Sequence, residues 1–411
     1  MMDAPPRPWP AALLLGALAQ ALFSWRVTIP HQLVFDEVHY VPAARALVAM
    51  ASPANSEHPL LGKILIALGI QLFGDNSLGW RALSTVAGTA VVMGVFAILW
   101  LGTRRLRPAV VGSLLTIVNF TVFVQARIAM LDGFMAAFVV LAIATMLWSM
   151  RARGAVMWRR WIGASLLLGL AVACKWTAAP YVAGAALAFL ILRHHRADRW
   201  PGMRPMLAIG VLGGVSIATY LVTFAPAFFY DFEPVTLARL LPFQLDMYRL
   251  QTQVLPPHIY QSTWWTWPLD LRPIWYLYEP ADGAQRGILM IGNPAVMWGG
   301  LVAVVACAVT WARTRDIACG ATAMLWLSSV AIWAAIPKSL GFFYYYYLSS
   351  IWLPIGVAVA FDRLGEQRRY WDEAFVLASA MLFVHFYPIL AAGALPDPQA
   401  FNRWMWIDSW R

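Results

Sequence analysis

Residues 35–63 read FDEVHYVPAARALVAMASPANSEHPLLGK, and they decide how the rest of the chain is understood. Two carboxylates, Asp36 and Glu37, follow directly on the first apolar run. About twenty residues later comes His58-Pro59-Leu60-Leu61-Gly62-Lys63. Charge beside lipid is costly, so an acidic pair kept at the edge of a membrane span marks a candidate site.

Working outward, the surroundings of this segment are apolar. Of 411 residues, 61% are hydrophobic and 12% charged, about half the charged fraction of a soluble domain. The excess is gathered into eleven stretches near residues 10–27, 78–101, 109–125, 133–150, 161–174, 178–192, 206–225, 291–311, 317–336, 345–361 and 373–394. Most approach the ~20 helical residues that a bilayer asks for. Those at 161–174 and 178–192 are short, and are expected to be tilted, broken or longer than the pattern shows. The expectation is an all-α polytopic membrane protein with about 11 transmembrane helices and one membrane domain over residues 1–411. Its outer parts are a first loop (28–77), a long loop (226–290) and a tail (396–411).

Orientation follows from Lys and Arg, which concentrate in cytoplasmic loops. With the N-terminus inside, the short inner loops hold 17 of the 30 basic residues. They are Arg7, Arg104, Arg105, Arg107, Arg151, Arg153, Arg159, Arg160, Arg193, Arg196, Arg199, Arg204, Arg313, Arg315, Arg363, Arg368 and Arg369. This places the acidic pair, the 226–290 loop and the Trp-rich tail outside. It also explains the net charge of +10 without nucleic acid as a partner. Ala19-Gln20-Ala21 mimics a signal-peptidase site, but the apolar run continues past it and the n-region has a single Arg. The first helix is therefore read as uncleaved. Residues 41–50 and 58–73 are too short or too charged to cross, and are read as helices lying in the outer interface. Cys174, Cys307 and Cys319 fit neither a disulfide framework nor a zinc motif.

A carboxylate at the membrane surface, with its pKa set by partial desolvation, can take a proton from an attacking hydroxyl. Taken alone, Asp36 and Glu37 could equally cap the next helix. Two adjacent carboxylates in an extended segment point apart. Asp36 is therefore taken as the base, and Glu37 as orienting an acceptor or pairing with a cation such as Arg81 or Arg127. Pro59 suits the first turn of a helix, which puts His58 beside anion-favouring N–H groups and Lys63 one turn on. The pair would cradle a phosphate or line an acceptor groove; a capped helix with a snorkelling Lys is the plainer alternative. Arg81, Arg127, Asp132 and Lys175 all border apolar runs on the same side, where fixed cations would steady a leaving phosphate. Arg127 and Asp132, five apart, could instead pair with each other. The aromatic loop 257–280 adds Arg272 as a donor contact, and Trp176 and Tyr345 are read as support. No Walker loop, H-E-x-x-H, dinucleotide fingerprint or D-x-D is present, so no cofactor and no metal are expected.

FDEVH followed by HP-x-L-G-K, together with RALSTVAG (81–88), ARIAMLD (126–132), CKWTA (174–178) and HIYQSTWWTWPLDLRPIWY (258–276), resembles the protein O-mannosyltransferase family in the same order over about residues 35–355. The resemblance implies a GT-C fold with its site at the outer mouth of a bacterial plasma-membrane protein. It implies a polyprenyl-phosphate mannose donor and a protein Ser/Thr acceptor. It also implies inversion at the anomeric carbon, with Asp36, and Glu37 beside it, supplying the catalytic base. Leu60 stands where the family usually has a second Pro. The same fold with a lipid or glycan acceptor is the nearest alternative. A transporter is the more distant one, since it calls for mid-membrane charges and repeated broken helices.

Overall fold

A computed structural model of the chain describes residues 7–196, 198–336, 338–364 and 370–411; Arg368 and Arg369 of the expected inner loops lie outside the described residues. Helices run in the order α1 (Trp9–Ser24), α2 (Glu37–Val48), α3 (Leu61–Phe73), α4 (Ser77–Thr103), α5 (Leu106–Ile117), α6 (Phe120–Gln125), α7 (Leu131–Ser149), α8 (Gly154–Cys174), α9 (Ala179–His195), α10 (Pro205–Val222) and α11 (Leu237–Thr252). Strands β1 (Ile274–Ala281) and β2 (Ala284–Met290) follow, then α12 (Gly300–Thr314), α13 (Ile317–Ala331), α14 (Tyr347–Arg363) and α15 (Trp371–Leu390).

Among the described residues, nine helical segments are long and apolar enough to cross a membrane. Each coincides with one of the eleven apolar stretches. The two short stretches are longer than their apolar pattern, because α8 opens with the polar-flanked GAVMWRR and Trp176–Ala178 extends α9 at its start. The other two stretches fall short of eleven full spans. The first forms the 16-residue α1. The stretch at 109–125 is broken after Ile117: Asn119 caps α6 through Thr121 N–H and gives its amide to the Ser350 carbonyl at 3.4 Å.

The chain falls into two compact units: residues 1–35, 95–128 and 254–411, and residues 36–94 and 129–253. In the first, α12, α13 and α14 pack together and α14 lies on α5. This unit departs from the all-α expectation. β1 and β2 form an antiparallel hairpin whose Asp282-Gly283 turn has positive φ at both residues (48° and 75°). Two consecutive left-handed residues are what a two-residue type I′ turn requires, and Asp-Gly is a favoured sequence for it. A buried Asn293 gives its amide to the carbonyls of Val118 and Ser379, both at 3.0 Å, and so ties three segments.

In the second unit, α7, α8 and α10 form a layer. Gly169 lets α10 approach closely, since a Cβ there would lie 2.5 Å from the Ser216 carbonyl. Trp161, Phe189 and Trp200 close the end of this layer next to the 151–153 and 196–204 loops. The expected interfacial ledge is α2 and α3, which pack on each other. Gly74 (φ +87°) turns the chain from α3 into α4. Asp75 at that turn accepts from Arg45 of α2 (2.8 Å) and from the Trp80 indole of α4 (2.6 Å). The ledge is thereby pinned to the start of a long span.

Candidate active site

The second unit contains eight of the expected site residues. Asp36 caps α2 in helical conformation, so the acidic pair opens a helix and is not the extended segment expected from sequence. The two side chains still diverge. Glu37 is fully buried and saturated: Oε1 accepts from Arg81 Nε and from the Ala129 N–H, and Oε2 from Arg81 Nη2, all at 2.8 Å. Asp36 is half-buried and accepts from the Tyr40 hydroxyl at 3.2 Å. Burial pushes its carboxyl up to about 6; Lys175 pulls it down, Asp132 pushes it up, and His39 and Tyr40 pull it down.

Lys175 donates to both oxygens of Asp132, at 2.9 and 2.8 Å, with both side chains buried. Asp132 is thus the partner of Lys175 and not of a neighbour in sequence. Both residues act electrostatically on Asp36; among the described residues Asp36 has no ion-pair partner, while Glu37 and Asp132 each have one. That arrangement leaves one basic oxygen pair available and neutralises the charges around it.

Of the two cations expected as partners for Glu37, Arg81 is the one present: it is buried against Glu37 and positions that carboxylate. Other expectations are corrected here. Helix α3 begins at Leu61, so Pro59 and His58 precede it and are not in its first turn. Lys63 neither snorkels nor cradles an anion. It is fully buried, and its Nζ donates to the carbonyls of Ala54, Asn55 and His58 at 3.3, 2.7 and 2.9 Å. Burial draws its ammonium down to about 7. It folds the 54–58 loop around itself. His58, on that loop, has its ring 5.9 Å from Tyr40 and its Nδ1 2.9 Å from the Gln251 amide. Trp176 donates to the Tyr220 hydroxyl at 2.9 Å, and Tyr220 donates to Gln244.

The remaining three residues belong to the first unit. Arg127 donates to the carbonyls of Phe23 (2.9 Å), Trp25 (2.6 Å) and Arg26 (3.1 Å) and clamps the end of α1. Arg272 donates to the carbonyls of Ile259, Ser409 and Arg411, at 2.9, 3.3 and 2.9 Å, and binds the tail to the long loop. Tyr345 stacks on Trp333 at 4.8 Å within an aromatic cluster that includes Trp267. Sequence reasoning missed Tyr40, although its position four residues after Asp36 on a helix signals contact. It also missed Tyr220, Gln244 and Gln251, for which the sequence offers no local signal.

Among the described residues, no cluster of three or more His, Cys, Asp or Glu could hold a metal ion.

Two family models match the chain in sequence. "Dolichyl-phosphate-mannose-protein mannosyltransferase" covers residues 57–223 and "C-terminal four TMM region of protein-O-mannosyltransferase" covers residues 236–410. The chain belongs to the protein O-mannosyltransferase family. Among this family's members, it is similar to the polyprenol-phosphate-mannose–protein mannosyltransferase of Mycolicibacterium smegmatis, 29% identical over 92% of this chain and 87% of that one. The Mycobacterium tuberculosis protein of the same name is 27% identical over 92% and 86%. In structure the chain resembles the Saccharomyces cerevisiae Pmt1-Pmt2 complex bound to the sugar donor, with a TM-score of 0.84 at 12% identity, covering all of this chain and 93% of that one. It also resembles ArnT from Cupriavidus metallidurans bound to undecaprenyl phosphate, with a TM-score of 0.59 at 16% identity over 90% and 63%. The fold of this mannosyltransferase-family chain is therefore that of the GT-C membrane glycosyltransferases.

Proposed function

We propose that this protein transfers mannose from a polyprenyl phosphate to Ser or Thr hydroxyls of proteins, with Asp36 as general base. The carrying observation is the selective pairing of the acidic cluster: among the described residues Glu37 and Asp132 are each neutralised by a buried cation, and Asp36 is not. A carboxyl near pH 6 is ionised at neutral pH and still basic enough to accept a hydroxyl proton as attack develops. The freed oxygen bonds to the anomeric carbon, the C1–O bond to phosphate breaks, and polyprenyl phosphate leaves from the opposite face with inversion. The names of the relatives support this substrate pair.

Glu37, fixed by Arg81 and Ala129, holds the start of α2 and so aims Asp36. Lys175, fixed by Asp132, sets the field in which Asp36 titrates. His58, reached from Asp36 through Tyr40, faces the acceptor or the donor phosphate. The reading takes residues 1–411 as one catalytic domain of a multi-pass protein in a bacterial inner membrane. The Arg-rich short loops support an N-terminus inside and a site facing outward.

The test is a proteoliposome assay with radiolabelled polyprenyl-phosphate mannose, a periplasmic protein extract and a lipid extract offered together. Label recovered in protein and released by alkaline β-elimination is the expected result. Label in lipid alone would replace the protein acceptor with a lipid one. No transfer from mannose, with transfer from another polyprenyl-phosphate sugar, would overturn the donor assignment.

A further inference from the structure

Helix α11 shows three distinct faces when its residues are set around a wheel of 3.6 per turn. One face, carrying Leu240, Phe243, Gln244, Met247 and Gln251, is packed against its own unit. A second, about a third of a turn away, carries Arg239, Asp246 and Arg249, whose charged groups are exposed and pair loosely at 3.9 and 3.2 Å. The third carries Leu237, Leu241, Leu245 and Tyr248, which are 81%, 67%, 62% and 52% exposed. A continuous row of exposed leucines is not what a water-facing helix carries.

The position of α11 says what covers that row. The candidate span Pro205–Phe229 ends seven residues before α11 begins. Its own outward surface, at Ile217, Val222 and Phe229, is 61%, 71% and 72% exposed, and Phe232 in the connection is 75% exposed. Exposed apolar side chains thus recur from the candidate span, through Phe232 of the connection, onto α11, with Asp231 and Glu233 exposed between them as a charged rim. A helix with one apolar face, one charged face and one protein face, placed at the end of a span, fits the headgroup layer of a bilayer.

The packed face reaches the candidate site. The Gln251 amide donates to the Glu57 carbonyl and to His58 Nδ1, the latter at 2.9 Å. The Glu57 carbonyl fixes the orientation of that amide, because an amide oxygen there would face another oxygen. His58 Nδ1 is therefore the acceptor, and the ring proton of the neutral imidazole sits on Nε2. Seven positions before Gln251 on the same face, Gln244 accepts from Tyr220, which in turn accepts from Trp176. Nearby, Asp231 and Phe232 donate their N–H groups to the carbonyls of Met50 and Ala51, at 2.8 and 2.9 Å, which joins the same connection to the loop after α2.

We propose that α11 is seated in the lipid headgroup layer on the acidic-pair side, with Leu237, Leu241 and Leu245 in lipid, and that this seating holds Gln251 against His58. Gln251 is then a positioning residue that acts through His58, and the bilayer is part of what orders the site. The second half of this statement rests on the mannosyl-transfer reading; the first does not.

The experiment uses the full chain in proteoliposomes, with Cys174, Cys307 and Cys319 replaced by Ser and one environment-sensitive NBD label placed at Leu241→Cys, Leu245→Cys or Arg249→Cys. Nitroxide-bearing phospholipids should quench labels at 241 and 245 at least several-fold more than at 249, with blue-shifted emission at the first two. Equal, water-like emission at all three would overturn lipid seating. So would shielding at 241 that appears only when copies are crowded and is lost on dilution into excess lipid, which would point to a second copy. The coupling is read by transfer kinetics. Leu241→Asp with Leu245→Asp, and separately Gln251→Leu, should raise acceptor KM about tenfold, equivalent to about 1.4 kcal/mol, with kcat less affected; Leu241→Met should restore wild-type values. Unchanged KM in the Asp variant, with lipid quenching intact in the labelled chains, would leave a lipid-seated helix and discard its role in ordering His58. Absence of transfer in every chain, wild type included, would count against the mannosyl-transfer reading and not against the seating.

Discussion

The two units use buried and half-buried cations differently. Around the acidic pair, Arg81 and Lys175 meet carboxylates, with Glu37 and Asp132 as their partners. In the other unit, Arg127, Arg272 and Arg286 meet backbone carbonyls: of Phe23, Trp25 and Arg26, of Ile259, Ser409 and Arg411, and of Ala281, Asp282 and Ala392. A carboxylate pair fixes two charges and so shapes the local field. A carbonyl clamp leaves the field positive and fixes chain segments. Charge tuning is concentrated where Asp36 needs it, and stapling dominates where termini and loops must be held. Lys63 and Arg160 depart from this pattern: both lie in the unit of ion pairs, yet Arg160 donates to the Trp148 carbonyl and Lys63 clamps the loop that carries His58.

The largest expected effect breaks an ion pair. Glu37→Gln leaves the Arg81 guanidinium buried without a counter-charge, a loss of about 3–5 kcal/mol for one-sided removal of such a pair. Thermal unfolding in detergent should show it, along with loss of transfer. Arg127→Met, which frees carbonyls at a loop end, should cost less, about 1–3 kcal/mol. Equal melting shifts for the two would erase the distinction between pairing and clamping.

Next comes Lys175→Met, which sharpens the comparison by moving a pKa. Lys175 lowers the Asp36 carboxyl from what burial alone would give, so removing its charge raises it. Because the base works ionised, the acid limb of kcat/KM, expected near pH 6 in wild type, should move to higher pH. A shift in the opposite direction would mean that another group governs that limb.

A smaller effect is expected at Asp270, which is buried beside the Gly292 N–H and pairs with no cation among the described residues. Burial pushes its carboxyl up to about 8, from 3.8 in the unfolded chain. The folded state therefore binds the extra proton, and the stability this lends is present at low pH and lost as pH rises through 8. Asp270→Asn should come closest to wild type in melting temperature at pH 4 and exceed it increasingly towards pH 9. Parallel curves across that range would refute the assignment. Smallest of all is Arg272→Lys, which keeps charge but loses the three-way carbonyl clamp. It should increase protease sensitivity of residues 396–411 while leaving transfer within about a few-fold of wild type.

Much of the fold was legible because long apolar runs admit few alternatives, and the ledge of α2 and α3 was legible because its runs are too short to cross. The acidic pair was legible for the same reason that it is costly: charge beside lipid stands out. Arg81 and Arg127 could not be told apart, since both border an apolar run and their partners lie 44 and about 100 residues away in sequence. The hairpin did carry its signal, Asp282-Gly283 between strand formers, but it was absorbed into the long outer loop 226–290. Helix α11 was hidden by Pro242 and by a leucine row that reads as neither a span nor a core face.

The central claim is that Asp36 alone of the acidic cluster takes the acceptor proton. Its most direct test is kcat for labelled-mannose transfer by Asp36→Asn in proteoliposomes, with melting temperature measured alongside. The expected result is a fall of about 10²–10⁴-fold with wild-type stability, since Asp36 has no ion pair to lose. Transfer within a few-fold of wild type in a folded Asp36→Asn protein would contradict it.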